Sequence, residues 1–120
     1  ELYDADLTTS AATLELISEI NKLSPFGVGN PAPIFRFANV YVLRADIVGL
    51  KHIRVIFAPT KESHSSKALT AIAFNVVNSD LGNVLLSRKS HRLSVFGTLK
   101  INKWQERETV QLQLNDVLVE

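Results

Sequence analysis

The sequence contains no cysteine and no methionine among its 120 residues. The lack of cysteine excludes disulfides, thiolate chemistry and cysteine-based zinc sites. No apolar run approaches the about 20 residues that a membrane-spanning helix needs. The start, Glu1-Leu2-Tyr3-Asp4, is not typical of a signal peptide. The lack of cysteine is compatible with a reducing compartment, and we expect no association with a membrane.

Excess charge is also missing, because 13 basic and 12 acidic residues leave a formal net charge of +1. If nucleic acid binds, a local patch must attract it rather than the charge of the whole chain. The apolar fraction of 46% suffices for one packed domain and argues against disorder. Because the chain has no methionine to initiate translation, it is interpreted as a piece of a longer protein; the alternative is a processed small protein.

A helix is predicted over residues 10–23, where apolar residues recur at three-residue spacing and stay near one face: Leu14, Ile17, Ile20 and Leu23. Pro25 ends it, because the residue before a proline is pushed out of the α region. Residues 24–33 hold three prolines and two glycines, which predicts a stiff loop, here called the strap. The expected division is residues 1–33 for helix and strap and residues 34–120 for the following domain.

From Ile34 onward the apolar period changes to two, which predicts strands. The first strand places one set of residues on a single face: Phe35, Phe37, Tyr41, Leu43, Ala45 and Ile47. After a turn at Gly49-Leu50, the expected elements are strands at 51–58 and 68–75, a short helix from about 80 to 86, and strands at 90–101 and 108–119. Gly97 is expected at a bulge. Five strands with a helix after the third indicate a mainly β, five-stranded OB-type Greek-key barrel; the pattern alone leaves open a generic antiparallel sandwich or barrel.

No arrangement of residues predicts catalysis. His52, His64 and His91 lack the spacing of a zinc motif, and Asp4 and Asp6 lie in a start that we expect to fray. No nucleotide-binding or nucleophile motif is present. We therefore expect no enzyme activity, catalytic residue, metal or cofactor in this chain itself.

Four segments, in this order, resemble motifs of RecJ single-strand DNA exonucleases: PFGVGNPAPIF at 25–35, VGLKHIRV at 48–55, AIAFN at 71–75, and LKINKW at 99–104 followed by Gln111-Leu112. Together they extend over nearly the whole chain from about residue 10. The resemblance implies the OB domain of a bacterial, cytoplasmic 5′-to-3′ exonuclease that acts on single-stranded DNA in recombination and repair. It also implies a manganese- or magnesium-dependent catalytic core upstream, whose DHH-type motifs are absent here. One departure is the last turn, where the family often has glycine and basic residues and this chain has Gln105-Glu106-Arg107-Glu108.

Single-stranded DNA is the expected partner, because OB folds bind oligonucleotides across strands two and three and the adjoining loops. Cationic and aromatic residues at those places, and in the densest basic cluster, are the candidates for binding: Lys51, His52, Arg54, Lys100, Lys103, Trp104, Arg107, Arg88 and Arg92. Arg54 is a candidate for contact with a phosphate or a base, and Trp104 for base stacking. The alternative for each cation is a solvated surface residue, and for Trp104 packing over the barrel mouth.

Two other functions stay open. A protein-interaction module would dock the acidic tail of a single-strand binding protein on the cluster from Arg88 to Arg92. A structural brace would pack Leu14, Ile17 and Ile20 against the protein's own catalytic domains. For the strap, structural roles are favoured: Phe26 and the prolines for packing, Gly27 and Gly29 for backbone angles, and Asn30 for hydrogen bonds within the loop.

Overall fold

The computed structural model describes residues 2–62, 67–87 and 91–120. A short 3-10 helix, Thr9–Ala11, precedes the first α-helix. The other elements, in chain order, are β1 (Ala5–Asp6), α1 (Leu14–Asn21), β2 (Phe35–Val48), β3 (His52–Ala58), β4 (Leu69–Ala73), α2 (Asp80–Leu86), β5 (Leu93–Trp104) and β6 (Arg107–Val119).

The strands form one closed sheet in the order β1-β2-β3-β4-β6-β5, and β2 also pairs with β5. All pairs in the barrel are antiparallel except β4 with β6, which is parallel. Leaving β1 aside, this is the five-stranded Greek-key barrel of the OB fold, so the fold expected from the sequence is confirmed. The two-residue β1, which pairs with the start of β2, was not expected.

β2 contributes to both sides of the barrel, because Phe35–Val40 pairs with β5 and Tyr41–Val48 with β3. Its register shifts between Phe37 and Val40, where Asn39 has a φ of 58°, and again between Val42 and Arg44. Each shift changes which residues point inward. The single face expected for this strand is therefore wrong between the two shifts, where Val40 is buried and Leu43 is 36% exposed. Beyond them the expected face returns, because Ala45 and Ile47 pair with the buried Val55 and Ile53.

Both helices pack against the core of the barrel. α1 is shorter than expected, but it buries Ile17 against the core beside β5 and β6. α2 begins where expected, because Ser79 Oγ accepts a hydrogen bond from Gly82 N at 3.0 Å and caps the helix. Leu85 of α2 is buried in the same core. Gly97 lies where β5 shifts register against β6, which confirms the expected bulge.

The N-terminal segment is ordered, so the expectation that Asp4 and Asp6 fray is wrong. Asp4 N donates to the carbonyl oxygen of Ile34 at 2.7 Å, and Asp6 accepts a hydrogen bond from Arg36. This hydrogen bond raises the pKa of the Arg36 guanidinium above its ordinary value. Arg36 also lies 4.8 Å from the ring centre of Tyr3. These contacts join positions 30 residues apart, so local sequence patterns do not reveal them.

The strap is held by its own hydrogen bonds, as the sequence suggested for Asn30. The Asn30 amide donates to the carbonyl oxygens of Leu23 and Pro25, each at 2.8 Å. Its backbone N–H and carbonyl both pair with Gly27, at 3.1 and 2.8 Å. Because the Asn30 side chain satisfies backbone oxygens of the loop, its place in the structure is that of a loop-stabilising residue.

Candidate nucleic-acid interface

Polar and apolar side chains form two rows across the outside of the barrel. Pairing partners across a sheet point to the same face, and the alternate residues of β3, such as Ile53 and Val55, are buried. The exposed sides of β2, β3, β4, β6 and β5 therefore carry, in order, Asp46–Arg54–Ile72–Gln113–Thr98 and Arg44–Ile56–Thr70–Gln111–Lys100. We call this surface the outer face. It is centred on β3 and β4, the second and third strands of the barrel, where binding was expected.

Arg54 is the central cation of the outer face. Its neighbour in the adjoining row, Arg44, forms an ion pair with Asp46 at 2.7 Å. Among the described residues Arg54 forms no ion pair and its side chain is exposed. Asp46 lies directly opposite Arg54 but is engaged by Arg44. The outer face thus retains one uncompensated guanidinium at its middle.

One end of the outer face carries an aromatic pair beside the β2–β3 turn. His52 and Phe74 rings are 5.2 Å apart between centres and meet at 77°. His52 Nδ1 accepts a hydrogen bond from Asn75 N at 2.9 Å, so the neutral ring carries its proton on Nε2. Phe74 is 49% exposed. The backbone carbonyl of Lys51, in the turn itself, accepts from the N–H groups of Val76 and Val77, which ties the turn to the segment after β4.

The opposite end is a projecting hairpin. β5 and β6 stay paired as far as Trp104 and Arg107, well beyond the start of β4, whose Thr70 is level with Gln111. Alternation along β5 places Lys100 and Trp104 on the side of the outer face. Arg107, directly opposite Trp104, shares that side, and Trp104 is 71% exposed. The packing alternative for Trp104 is therefore wrong.

Two candidates lie away from this surface. Lys103 occupies the alternate side of the hairpin, directly opposite Glu108. Arg92 lies just before β5, where its carbonyl accepts a hydrogen bond from Glu120 N at 2.9 Å, and the following Leu93 pairs with Val40 and Val119. Arg88 and its neighbour Lys89 lie outside the described residues.

The outer face includes a residue that the sequence analysis did not select as a candidate, namely Phe74. The available signal was the strand alternation, because Ala71 and Ala73 face inward and are buried. The same alternation places Phe74 outward, on the side of Ile72.

Most of the apolar face of α1, proposed as a brace, packs against the core of this domain. Ile17 is 1% exposed, Ile20 packs on the core, and only Leu14 remains substantially exposed at 38%. Beside this helix, a cleft of about 240 Å³ separates α1 and the strap from β5, with Ile20 and Phe26 on one wall and Lys100 on the other. The expected packing against other domains is therefore wrong for Ile17, which this domain itself buries.

Metal-binding and membrane-spanning features were also sought. Over residues 2–62, 67–87 and 91–120, no three His, Asp or Glu side chains are grouped so that they could hold a metal ion. Within the same residues, no helix has the length and apolar character needed to cross a membrane.

The closed barrel, its strand order and the exposed outer face together define an OB-fold domain. The family model described as the RecJ OB domain matches residues 3–116, so the chain belongs to that family. A curated relative, the single-stranded-DNA-specific exonuclease RecJ of Bacillus subtilis (strain 168), is 32% identical over 107 residues. The match covers 89% of this chain and 13% of the relative, so the chain spans only a small part of that protein.

Two solved structures were also found at low sequence identity. The mitochondrial single-stranded DNA binding protein Rim1 of S. cerevisiae is 13% identical with a TM-score of 0.49, over 70% of this chain and 91% of that one. The fourth OB domain of the yeast telomere protein Cdc13 is 16% identical with a TM-score of 0.45, over 92% of this chain and 87% of that one.

Proposed function

We propose that this chain is the accessory domain that binds and positions single-stranded DNA in a bacterial, cytoplasmic RecJ-type 5′-to-3′ exonuclease. In this proposal the parent enzyme acts in recombination and repair. A manganese- or magnesium-dependent core elsewhere in the parent hydrolyses the DNA, and the residues of this chain supply only binding. Membership of the RecJ OB family and the likeness to a curated single-stranded-DNA-specific exonuclease support this assignment.

The observation that carries the proposal is the uncompensated Arg54 on the outer face. An exposed guanidinium that forms no ion pair with any described residue is available to donate two parallel hydrogen bonds to a phosphate. The neighbouring groups suit the same ligand, because Ile56 and Ile72 offer apolar surface beside it, and Lys100 adds a second cation in the adjoining row. Phosphate contacts combined with apolar or aromatic platforms are how proteins bind single strands without reading sequence.

The test is a titration of labelled oligo-dT by fluorescence anisotropy at low salt, with the wild-type chain and Arg54→Gln. Loss of one phosphate contact is expected to weaken binding about threefold to tenfold. It should also lower the slope of log K against log salt by about 0.7, the value for one phosphate on a single strand.

Lys22→Gln is the matched control, since it removes the same charge at the C-cap of α1. Lys22 is not in either row of the outer face, and among the described residues it forms one ion pair, the exposed pair with Glu19, so its loss should leave both affinity and salt slope unchanged. An equal effect of the two substitutions would assign the binding to general charge. No binding by the wild-type chain even at millimolar concentration would refute a DNA-binding domain.

Docking of a protein segment is the second candidate, and the cleft between α1, the strap and β5 favours it. Its apolar wall at Ile20 and Phe26, with Lys100 opposite, suits a short segment that is apolar and acidic. We propose the acidic tail of a single-strand binding protein as the occupant, and the parent's own catalytic domains as the alternative. NMR shift changes on adding an acidic peptide, confined to this cleft, would support docking; an unchanged spectrum would contradict it.

A further inference from the structure

The two exposed aromatic side chains of the outer face lie at its opposite ends. Phe74 follows β4 next to the β2–β3 turn, and Trp104 ends β5 at the tip of the projecting hairpin. They are 49% and 71% exposed, which is costly for large apolar groups without a ligand. Both belong to the same side of the sheet as Arg54 and Lys100.

We propose that Phe74 and Trp104 are two separate base-stacking positions that engage one DNA strand together, so that the domain binds strands above a threshold length. This inference depends on the proposed function, because it specifies how the outer face would hold single-stranded DNA. Arg54 and Lys100, which lie between the two aromatic residues, contact the intervening backbone.

Phe74 is prepared for stacking before a strand arrives. The edge-to-face contact with His52 fixes one side of the ring, and the hydrogen bond from Asn75 N to His52 Nδ1 holds His52 in place. A side chain that is already oriented loses less conformational entropy on binding than a mobile one. The aromatic pair therefore presents a fixed stacking surface at this end.

The separation of the two positions sets the threshold length. Phe74 lies two residues beyond Ile72, and Ile72 pairs with Gln113 of β6. At the other end, Trp104 pairs with Arg107, which precedes Gln113 by six residues on the same strand. The two aromatic residues are therefore about eight residues apart along the strand direction. At about 3.3 Å per residue of strand, the two ends are about 26 Å apart along the strand direction. At the stacked spacing of about 3.4 Å per nucleotide this distance corresponds to about eight nucleotides. A more extended strand spans it with fewer.

Joint engagement has a distinct signature in the dependence of affinity on length. A strand too short to bridge the positions uses either one, so if the two bind with similar strength, losing one position lowers its affinity about twofold. A bridging strand uses both, and each stacked base contributes about 5- to 150-fold to its affinity. The second contact then forms at a high effective concentration, because the first contact holds the strand nearby.

The experiment is an oligo-dT series from two to twelve nucleotides, titrated against the whole chain by fluorescence anisotropy at low salt. For the wild type, affinity should rise steeply between about four and eight nucleotides. Phe74→Leu and Trp104→Leu should each remove this rise while leaving the shortest strands nearly unaffected. Phe74→Tyr should retain it, which separates loss of stacking from damage to the fold. Val28→Ala, which trims a fully exposed apolar side chain on the strap, is the matched control and should change nothing.

The outcomes separate this inference from the function on which it depends. If no strand binds at any length, the proposed function fails. If strands bind but affinity grows smoothly with length, or either leucine variant weakens all lengths equally, two-point engagement is overturned and DNA binding remains. An effect of Trp104→Leu without one of Phe74→Leu would remove Phe74 as a stacking position.

Discussion

The turn at the tip of the projecting hairpin stores conformational strain that a single substitution should release. Gln105 and Glu106 join β5 to β6 as a two-residue turn, with φ values of 49° and 65°. Such turns favour glycine and asparagine, because other residues pay about 1–2 kcal/mol in the left-handed region. Glycine avoids this strain, but it loses more conformational entropy on folding, which costs about 0.5–1 kcal/mol. We expect Glu106→Gly to stabilise the fold by about 0.5–1 kcal/mol.

Thermal unfolding followed by circular dichroism is the assay, and a Tm increase of about 2–5 °C is expected for a domain of this size. Glu108→Gly is the matched control, since it removes the same side chain and charge from a regular strand position two residues later. There glycine should cost about 0.5–1 kcal/mol. If Glu106→Gly lowered Tm as Glu108→Gly does, strain in the turn would be the wrong explanation.

Two further predictions concern the barrel. Gly97→Ala would place a Cβ 2.2 Å from the carbonyl oxygen of Gln113 and force β5 from β6, so the free energy of unfolding in urea should fall by about 3 kcal/mol. Gly29→Ala is the control, because a Cβ at Gly29 would have no described atom within 4 Å, and its free energy of unfolding should change by less than about 0.5 kcal/mol. Equal losses in the two variants would contradict the close approach at Gly97. Ser79→Ala removes the cap of α2 and should cost about 1–2 kcal/mol by the same measurement, whereas unchanged stability would show that the cap is dispensable.

Elements specified by local chemistry were predictable from the sequence. The start of α2 near residue 80 and the strand expected at 51–58 depend on neighbouring residues alone, and both are found close to the expected bounds. Gly97 was recognised because a glycine on an inward strand position implies a bulge or close approach. The family motifs favoured the OB barrel over a generic sandwich or barrel, a choice that periodicity alone left open.

Features imposed by barrel closure were not predictable. Along its length β2 changes its pairing partner from β5 to β3. Asn39, whose backbone is in the left-handed region, lies where this change begins, and strand periodicity does not indicate it. The ordered N-terminal segment depends on Arg36, which contacts Asp6 and Tyr3 from far along the chain. Phe74 was missed for a related reason. Its exposure and its contact with His52 arise only when β3 and β4 are paired.

Net charge proves a poor guide to the outer face, because ion pairs and strand alternation redistribute the charges. Arg44 is neutralised by Asp46, whereas Arg54 beside it is not. The last turn, where this chain departs from the family's basic residues, carries two acidic residues. Glu108 lies on the side of the hairpin away from the outer face, so of these two only Glu106 at the tip can oppose a bound strand. Charges farther than about 10 Å are largely screened at 0.1 M salt. A phosphate near Arg54 would therefore respond to that local cation rather than to the chain's total of +1.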